Sequence, residues 1–315
     1  MQFLEKYSSI IELELSQLKL PSNPSNLYDP VRYFLGLGGK RIRPILTLMA
    51  SEHFGGSIEN AIPAAISVEL FHNFTLVHDD IMDEAPSRRN QPTVHQKWNQ
   101  NIGILSGDLL LIKSYEQLQS YSPEIQSELL QLLNKTAVEV CEGQQMDMDF
   151  EKLNKISIAD YLEMIRLKTS VLLGAALGIG AIVEKRRKQE IDSLYQFGVN
   201  LGIAFQIQDD ILDLYGDTEK VGKIKGGDIL NKKKSILSLM ALDKGFQWQE
   251  LDDFLNKDEK IKYVLHRFNE LNIIDEARSL MNMYGEKAIL ILNEELNSEA
   301  SNFKDLTSYL LNREN

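Results

Sequence analysis

Apolar residues recur at three- and four-residue spacing over long stretches of the chain: Leu118 to Ala137, Ile158 to Ile182, Ile191 to Leu214 and Asp275 to Leu296. That period belongs to helices with one buried face. No run of strict apolar–polar alternation stands out, so no strand is predicted. All eight prolines lie at or before Pro123, seven of them at or before Pro92. From Glu124 to Asn315 no residue removes a helix donor. Short turn signals punctuate the pattern at Pro21-Ser-Asn-Pro24, Gly55-Gly56, Ser122-Pro123 and Gly226-Gly227. The charge run Lys185-Arg186-Arg187-Lys188 reads as a solvated corner between two helices. No linker rich in Pro, Gly or Ser cuts the chain. The pattern predicts an all-α fold, a single domain over residues 1–315 built as a helical bundle.

Composition narrows the classes. The chain has 315 residues, 43% hydrophobic and 25% charged, which argues against disorder. One cysteine, Cys141, excludes an intrachain disulfide framework and a cysteine-based zinc cage. With 34 basic and 46 acidic residues the net charge is −12, which argues against a nucleic-acid binder. A small anionic ligand stays possible where a bound metal reverses the local sign. The first eighteen residues carry Glu5, Lys6, Glu12 and Glu14 and show no signal-peptide core. The most apolar stretch, Val171 to Val183, is too short to span a bilayer. The expectation is a soluble, cytoplasmic protein with no transmembrane segment.

Two aspartate clusters carry the candidate chemistry. One is Asp79-Asp80-Ile-Met-Asp83, the other Asp209-Asp210-Ile-Leu-Asp213. On a helix, positions i and i+4 share a face, so Asp79 pairs with Asp83 and Asp209 with Asp213. Either cluster alone reads equally well as a solvated acidic face. Two copies inside strongly apolar helices call for a compensating cation. Mg²⁺ suits them, because it takes one or two carboxylates plus substrate phosphate oxygens. Basic residues supply the complementary half: Gly38-Gly39-Lys40-Arg41-Ile42-Arg43-Pro44, Arg88-Arg89, Lys168-Thr169, Lys223 and Lys232-Lys233-Lys234-Ser235. Guanidinium forks fit phosphate, and glycines let backbone amides approach it. Together these predict sites for two diphosphates, one bridged by metal and one gripped by cations.

Taken as a set, GGKRIRP, the two DDxxD clusters with RR after the first, KT, and FQIQDD with a following GK resemble the trans-type isoprenyl diphosphate synthases of the polyprenyl synthetase family. The match runs from about Gly38 to Leu237. The resemblance implies an isoprenoid-synthase bundle around a central cavity, a homodimer, and head-to-tail condensation of isopentenyl diphosphate with an allylic diphosphate. It implies three Mg²⁺ ions, two at Asp79 and Asp83 and one at Asp209. Asp80, Asp210 and Asp213 would support them as ligands or from behind. Arg88, Lys168, Lys223 and Lys233 would hold the allylic diphosphate. Gly39, Lys40, Arg43, His72 and Arg89 would hold isopentenyl diphosphate, while Thr169 and Gln206 would lie near the allylic cation. His78 and His95 read as packing or supporting residues, Met146 and Met148 as core. Gln144 stays open between a supporting role and helix packing. The chain departs from the family pattern at Asn90 and Lys232, where glycine is usual, at Leu237, usually proline, and at Ser235, usually threonine.

The implied chemistry is ionisation, condensation and elimination, with no side-chain nucleophile. The tail would grow past the residues before Asp79. Small Thr75 followed by bulky Phe74 and Phe71 sets a chain-length pocket that resembles twenty-carbon producers, geranylgeranyl diphosphate synthases, with the fifteen-carbon farnesyl product next. A lysine-rich segment after Gly216 would close over the diphosphate. The rival readings are a class I terpene cyclase and a non-catalytic partner subunit of a prenyltransferase. GGKRIRP, Arg88-Arg89 and the second DDxxD weigh against the cyclase, and the intact aspartates weigh against the partner subunit.

Overall fold

The computed structural model describes residues 2–216, 226–252, 254–295 and 301–311. The helices, in chain order, begin with α1 (Gln2–Ser16), α2 (Ser25–Leu35), α3 (Ile42–His53) and α4 (Ile58–Met82). A hairpin of β1 (Ser87–Arg88) and β2 (Gln91–Pro92) follows. Then come α5 (Val94–Lys97), α6 (Gln100–Gln117), α7 (Pro123–Lys152), α8 (Ile158–Ile165), α9 (Val171–Val183) and α10 (Lys188–Tyr215). The last are α11 (Gly227–Leu230), α12 (Ile236–Asp243), α13 (Lys257–Glu270), α14 (Ile273–Glu295) and α15 (Ser301–Leu311). The all-α expectation holds.

Local chemistry sets many of the boundaries. Ser57, Asn99 and Asn256 each accept a backbone N–H at a helix start, and Ser157 with Asp160 forms a capping box. The predicted turns fall where the helices break. One predicted helix needs correction. Leu118 to Ala137 is not continuous, because a 3₁₀ turn at Leu118–Ser120 and the Ser122-Pro123 step separate α6 from α7. The Lys185–Lys188 run is the α9–α10 corner, with Lys185 left-handed at φ 52° and Arg186 resting on the Phe54 ring.

The hairpin escaped the pattern because strands of two residues are too short to show a period. Its turn residues, Arg89 and Asn90, have φ of 52° and 60°, as a two-residue type I′ turn demands.

A π-helical turn over Arg166–Ser170 joins α8 to α9. The joined segment, Ile158–Val183, is 26 residues long, enough to span a membrane, and 83% of its most apolar window is buried. Burial, rather than the shortness expected of Val171–Val183, is what makes it a core segment.

The chain divides into two compact units, Met1–Asn134 with Ala175–Leu194, and Lys135–Gly174 with Tyr195–Asn315. In the first, α4 packs along α6, α3 lies on α4, and α1 touches both α3 and α4. Phe34, Phe71, Ile45, Leu46, Leu70 and Leu110 fill its core. In the second, Phe197 meets Phe303 and Phe246 meets Phe268, all four fully buried. Each such burial contributes roughly 1.5–3 kcal/mol.

Candidate active site

In the first unit, the Asp79 cluster occupies the C-terminal end of α4, and Asp83 is the residue that caps it. A helix C-terminus is already negative, so three carboxylates there demand a cation. Asp80 is only 2% exposed, and Arg88 answers it. The Arg88 Nε donates to both Asp80 oxygens at 2.9 Å, and its Nη2 lies 2.8 Å from Oδ1 and 3.6 Å from Asp79 Oδ2. Burial raises the Asp80 pKa, and the Arg88 charge opposes that rise. The hairpin therefore delivers Arg88 to the aspartates of its own motif.

The basic cluster of this unit gathers around His72. Arg43 Nη1 donates to His72 Nε2 at 3.1 Å, which fixes the imidazole as neutral with its proton on Nδ1. Burial, followed by the charges of Arg43, Arg88, Arg89 and Arg41, holds the His72 pKa well below its ordinary value. Burial also pushes Arg43 down to about 10 against the opposing charge of Glu69. The Arg43 Nε is buried with no hydrogen-bond partner. Gly39 lies directly on Arg89, since a Cβ there would sit 2.8 Å from Nη2. Lys40 is exposed.

In the second unit, the π-helical turn presents Lys168 and Thr169. Gly143 of α7 makes this possible, because a Cβ there would lie 2.2 Å from the Lys168 backbone nitrogen. Gly202 of α10 meets Ser170 in the same way. Four residues on from Gly143, Asp147 accepts the Lys168 ammonium at 2.6 Å. Both line a cavity of about 490 Å³, together with Thr169, Gln206, Tyr161, Asp210, Asp228 and Lys233. The predicted Lys168, Thr169, Gln206, Asp210 and Lys233 are thus brought together.

The second aspartate cluster lies in the last two turns of α10. Asp210 is 7% exposed and accepts from the Tyr161 hydroxyl at 2.5 Å and the Ile236 N–H at 2.8 Å. Burial, reinforced by Asp228, raises its pKa to about 6. Asp213 accepts the Asp228 N–H at 3.0 Å and so anchors the start of α11. Desolvation opposes the Lys233 charge, but Asp228, Asp147 and Asp210 raise its pKa overall. Lys234 donates to the carbonyls of Phe150 and Glu151 at the end of α7, pinning the lysine run.

Several expectations change. Lys223 and the closing segment lie outside the described residues. Met146 and Met148 are half-buried rather than core. Gln144 has a buried Nε2 with no hydrogen-bond partner, as does the His95 Nδ1. His78 packs its ring against Phe74, 4.9 Å between centroids, and Phe74 lies 5.6 Å from Phe71. Thr75 donates back to the His72 carbonyl at 2.8 Å.

The departures at glycine positions have a shared reason. Asn90 and Lys232, with φ of 60° and 52°, keep the left-handed backbone that glycine would adopt. Ser235 is the N-cap residue of α12, and Leu237 is buried in its first turn. Sequence reasoning missed Asp147, Tyr161 and Asp228. For Asp147 the signal was at hand, a carboxylate inside GQQMDMD. For Tyr161 there was none.

Among the described residues no three His, Cys, Asp or Glu side chains converge to cage a metal. The donors instead come as carboxylates at negative helix ends. That set fits a cation such as Mg²⁺, which draws its remaining ligands from phosphate and water.

The comparisons agree with this layout. Residues 24–270 match the family model described as polyprenyl synthetase. The chain is 35% identical over 319 residues to a geranylgeranyl diphosphate synthase of Methanosarcina mazei, covering 99% of this chain and 97% of that one. It is 43% identical over 251 residues to a short chain isoprenyl diphosphate synthase of Methanocaldococcus jannaschii, covering 79% and 73%. The solved geranylgeranyl pyrophosphate synthetase of Geoglobus acetivorans superposes with a TM-score of 0.91 at 34% identity, covering 98% and 99%. A helical fold with aspartate clusters closing α4 and α10, matched along nearly its whole length by such enzymes, belongs to the polyprenyl synthetase family.

Proposed function

We propose that this enzyme condenses isopentenyl diphosphate head to tail with an allylic diphosphate. It is an isoprenyl diphosphate synthase, a prenyltransferase. One observation favours condensation over cyclisation: the buried Arg43–His72 pair, whose Arg43 Nε has no hydrogen-bond partner, in the same unit as the Arg89 guanidinium that lies against Gly39. A cyclase has no second diphosphate for such a cluster to hold.

In this reading Lys40, Arg43, His72 and Arg89 bind isopentenyl diphosphate, with Gly39 giving backbone access. In the second unit Lys168 and Lys233 receive the allylic diphosphate, and Asp147 holds the Lys168 ammonium in place until then. Thr169 and Gln206 turn their dipoles toward the allylic carbon as it becomes positive. Asp79 and Asp83 hold two Mg²⁺ ions and Asp209 a third, while Asp80, Asp210 and Asp213 stiffen the two clusters. Bound Mg²⁺ supplies Lewis-acid charge to the departing diphosphate. The allylic C–O bond breaks with its electrons going to that diphosphate. The isopentenyl double bond then forms the new C–C bond, and the released diphosphate takes the proton. Apolar neighbours of the motifs, Val77, Ile207 and Ile211, exclude the water that would quench the cation.

Product length is set by Phe74, backed by Phe71 and His78, and the product is twenty carbons long, with fifteen the alternative. Exposed Leu105 and Ile112 on α6 support a homodimer. The buried state of Ile158–Val183 supports a cytoplasmic enzyme. The test is incubation with Mg²⁺, labelled isopentenyl diphosphate and, separately, five-, ten- and fifteen-carbon allylic diphosphates, followed by sizing of the products. A ladder ending at twenty or fifteen carbons is expected, and Phe74→Ala lengthens it. Hydrocarbon released from an allylic diphosphate alone would replace this reading with a cyclase. No incorporation by folded protein would replace it with a partner subunit.

A further inference from the structure

Arg41 is a basic residue of GGKRIRP that the proposed chemistry does not use. It occupies the N-cap position of α3, yet its φ of 50° is left-handed and its side chain caps nothing. N-cap residues ordinarily have extended backbone and a short acceptor side chain. An arginine held there in a left-handed conformation needs a tertiary reason.

The reason is visible in its partners. The Arg41 side chain is fully buried. Its Nε donates to Glu12 Oε1 at 2.7 Å, its Nη1 to Glu69 Oε1 at 2.5 Å, and its Nη2 to the Leu35 carbonyl at 2.9 Å. Asn73 also donates to Glu69 Oε1, at 2.9 Å. Three helices are thereby tied at one guanidinium: α1 through Glu12, α2 through its end at Leu35, and α4 through Glu69. A buried ion pair of this kind adds little net stability over an apolar replacement, and its best-supported use is to fix one arrangement among several.

The arrangement it fixes is that of the anion cluster. Gly38 and Gly39, with φ of 75° and 149°, lead into Arg41, so three of the four residues before α3 have positive φ, and Arg41 is the one among them that a Cβ penalises. On one side of Arg41, Gly39 lies against the Arg89 guanidinium. On the other side, Arg43 bonds His72, one turn beyond Glu69 on α4. Glu69 also opposes the loss of basicity that burial imposes on Arg43.

We propose that Arg41, clamped between Glu12 and Glu69, is a positioning residue for the isopentenyl diphosphate site, and that α1 takes part in that site through Glu12. The inference rests on the condensation reading above. Glu12 is the component to vary, because it is partly exposed and lies outside the binding set.

Steady-state kinetics with both substrates test the proposal, using wild type, Glu12→Ala, Glu12→Gln and Arg41→Lys. Glu12→Ala is expected to raise the KM for isopentenyl diphosphate at least fivefold while the KM for the allylic diphosphate stays within twofold. Glu12→Gln keeps an acceptor and recovers most of the effect. Arg41→Lys keeps the charge but loses the fork, and behaves like Glu12→Ala. Thermal melting is followed in parallel. A fall in melting temperature with both KM values unchanged, or with both rising together, would overturn the proposal and leave a purely structural clamp. Failure of the wild type to condense the substrates at all would instead overturn the condensation reading.

Discussion

The two aspartate motifs share a sequence but fasten themselves differently. Each ends a long helix, and in each the middle aspartate turns inward and is nearly buried. In the first unit Asp80 meets a guanidinium, Arg88, which lies just beyond the motif on a two-residue turn. In the second unit Asp210 meets a phenol and a backbone N–H, Tyr161 and Ile236, with another carboxylate, Asp228, nearby. The first fastening is charge on charge, while the second is made of hydrogen bonds from neutral dipoles, with the Lys233 charge adding to them. The same letters therefore carry different electrostatics, and the partner rather than the motif decides what a carboxylate costs.

Neutralising the middle aspartates one at a time should break the symmetry most sharply. Asp80→Asn leaves Arg88 facing an amide and should lose about 3 kcal/mol of stability. Asp210→Asn keeps an acceptor for both neutral donors and removes an ionisation that burial opposes. Those two effects offset, and the change should stay within about 1 kcal/mol. Urea unfolding at pH 8 in the presence of a chelator reads both variants. Equal losses would show that the two fastenings are equivalent after all.

The pH dependence sharpens the same contrast. Asp210 has its folded pKa raised from 3.8 to about 6. Between those values the folded state keeps a proton that the unfolded state has lost, so stability from this group is present at low pH and lost as pH rises through 6. Between pH 4.5 and 7 the loss is roughly 2 kcal/mol. The stability of wild type relative to Asp210→Asn should fall by that amount over this range, in chelator. A flat difference would mean that Tyr161 and Ile236 compensate the burial fully.

Glycines provide a further comparison. Gly143 faces the backbone of Lys168, whereas Gly107 faces the His78 ring, each with a Cβ clash of 2.2 Å. Backbone in a π-helical turn cannot move aside alone, but a ring can rotate. Gly143→Ala should cost about 2 kcal/mol and raise the KM for the allylic substrate by displacing Lys168. Gly107→Ala should cost about 1 kcal/mol and leave that KM unchanged. If the two variants cannot be told apart in KM, the Gly143 contact does not place Lys168.

Much of this was legible before any coordinates. Helices over Ile191 to Leu214 and from Asp275 to Glu295 followed from the spacing of apolar residues, although only Asp192 and Gln196 are exposed in the first of them. The carboxylates and cations were legible because charge inside apolar sequence must be compensated. What stayed hidden depends on partners distant in sequence. Tyr161 and Asp210 are forty-nine residues apart, and nothing at either position announces the other. Arg41 and Glu69 are joined only once α3 and α4 pack. The π-helical turn is invisible to a periodicity that tolerates one extra residue. The hairpin is too short to have a period, although its left-handed Asn90 stood exactly where a glycine was expected.

That position and its counterpart in the second unit give the finest test. Asn90 and Lys232 both replace a usual glycine and both retain positive φ. Asparagine visits the left-handed region at little cost, because its short side chain can bond the local backbone, whereas lysine pays for its Cβ there. Glycine, in turn, loses more backbone entropy on folding. For Asn90→Gly these terms nearly cancel, and the change should be a few tenths of a kcal/mol. For Lys232→Gly the relief of strain should win by about 0.5–1 kcal/mol. The urea midpoint should therefore rise for Lys232→Gly and stay put for Asn90→Gly. If Lys232→Gly instead loses stability, the lysine side chain is fastening the loop that carries Lys233, and the second unit would hold that loop by a contact rather than by backbone geometry alone.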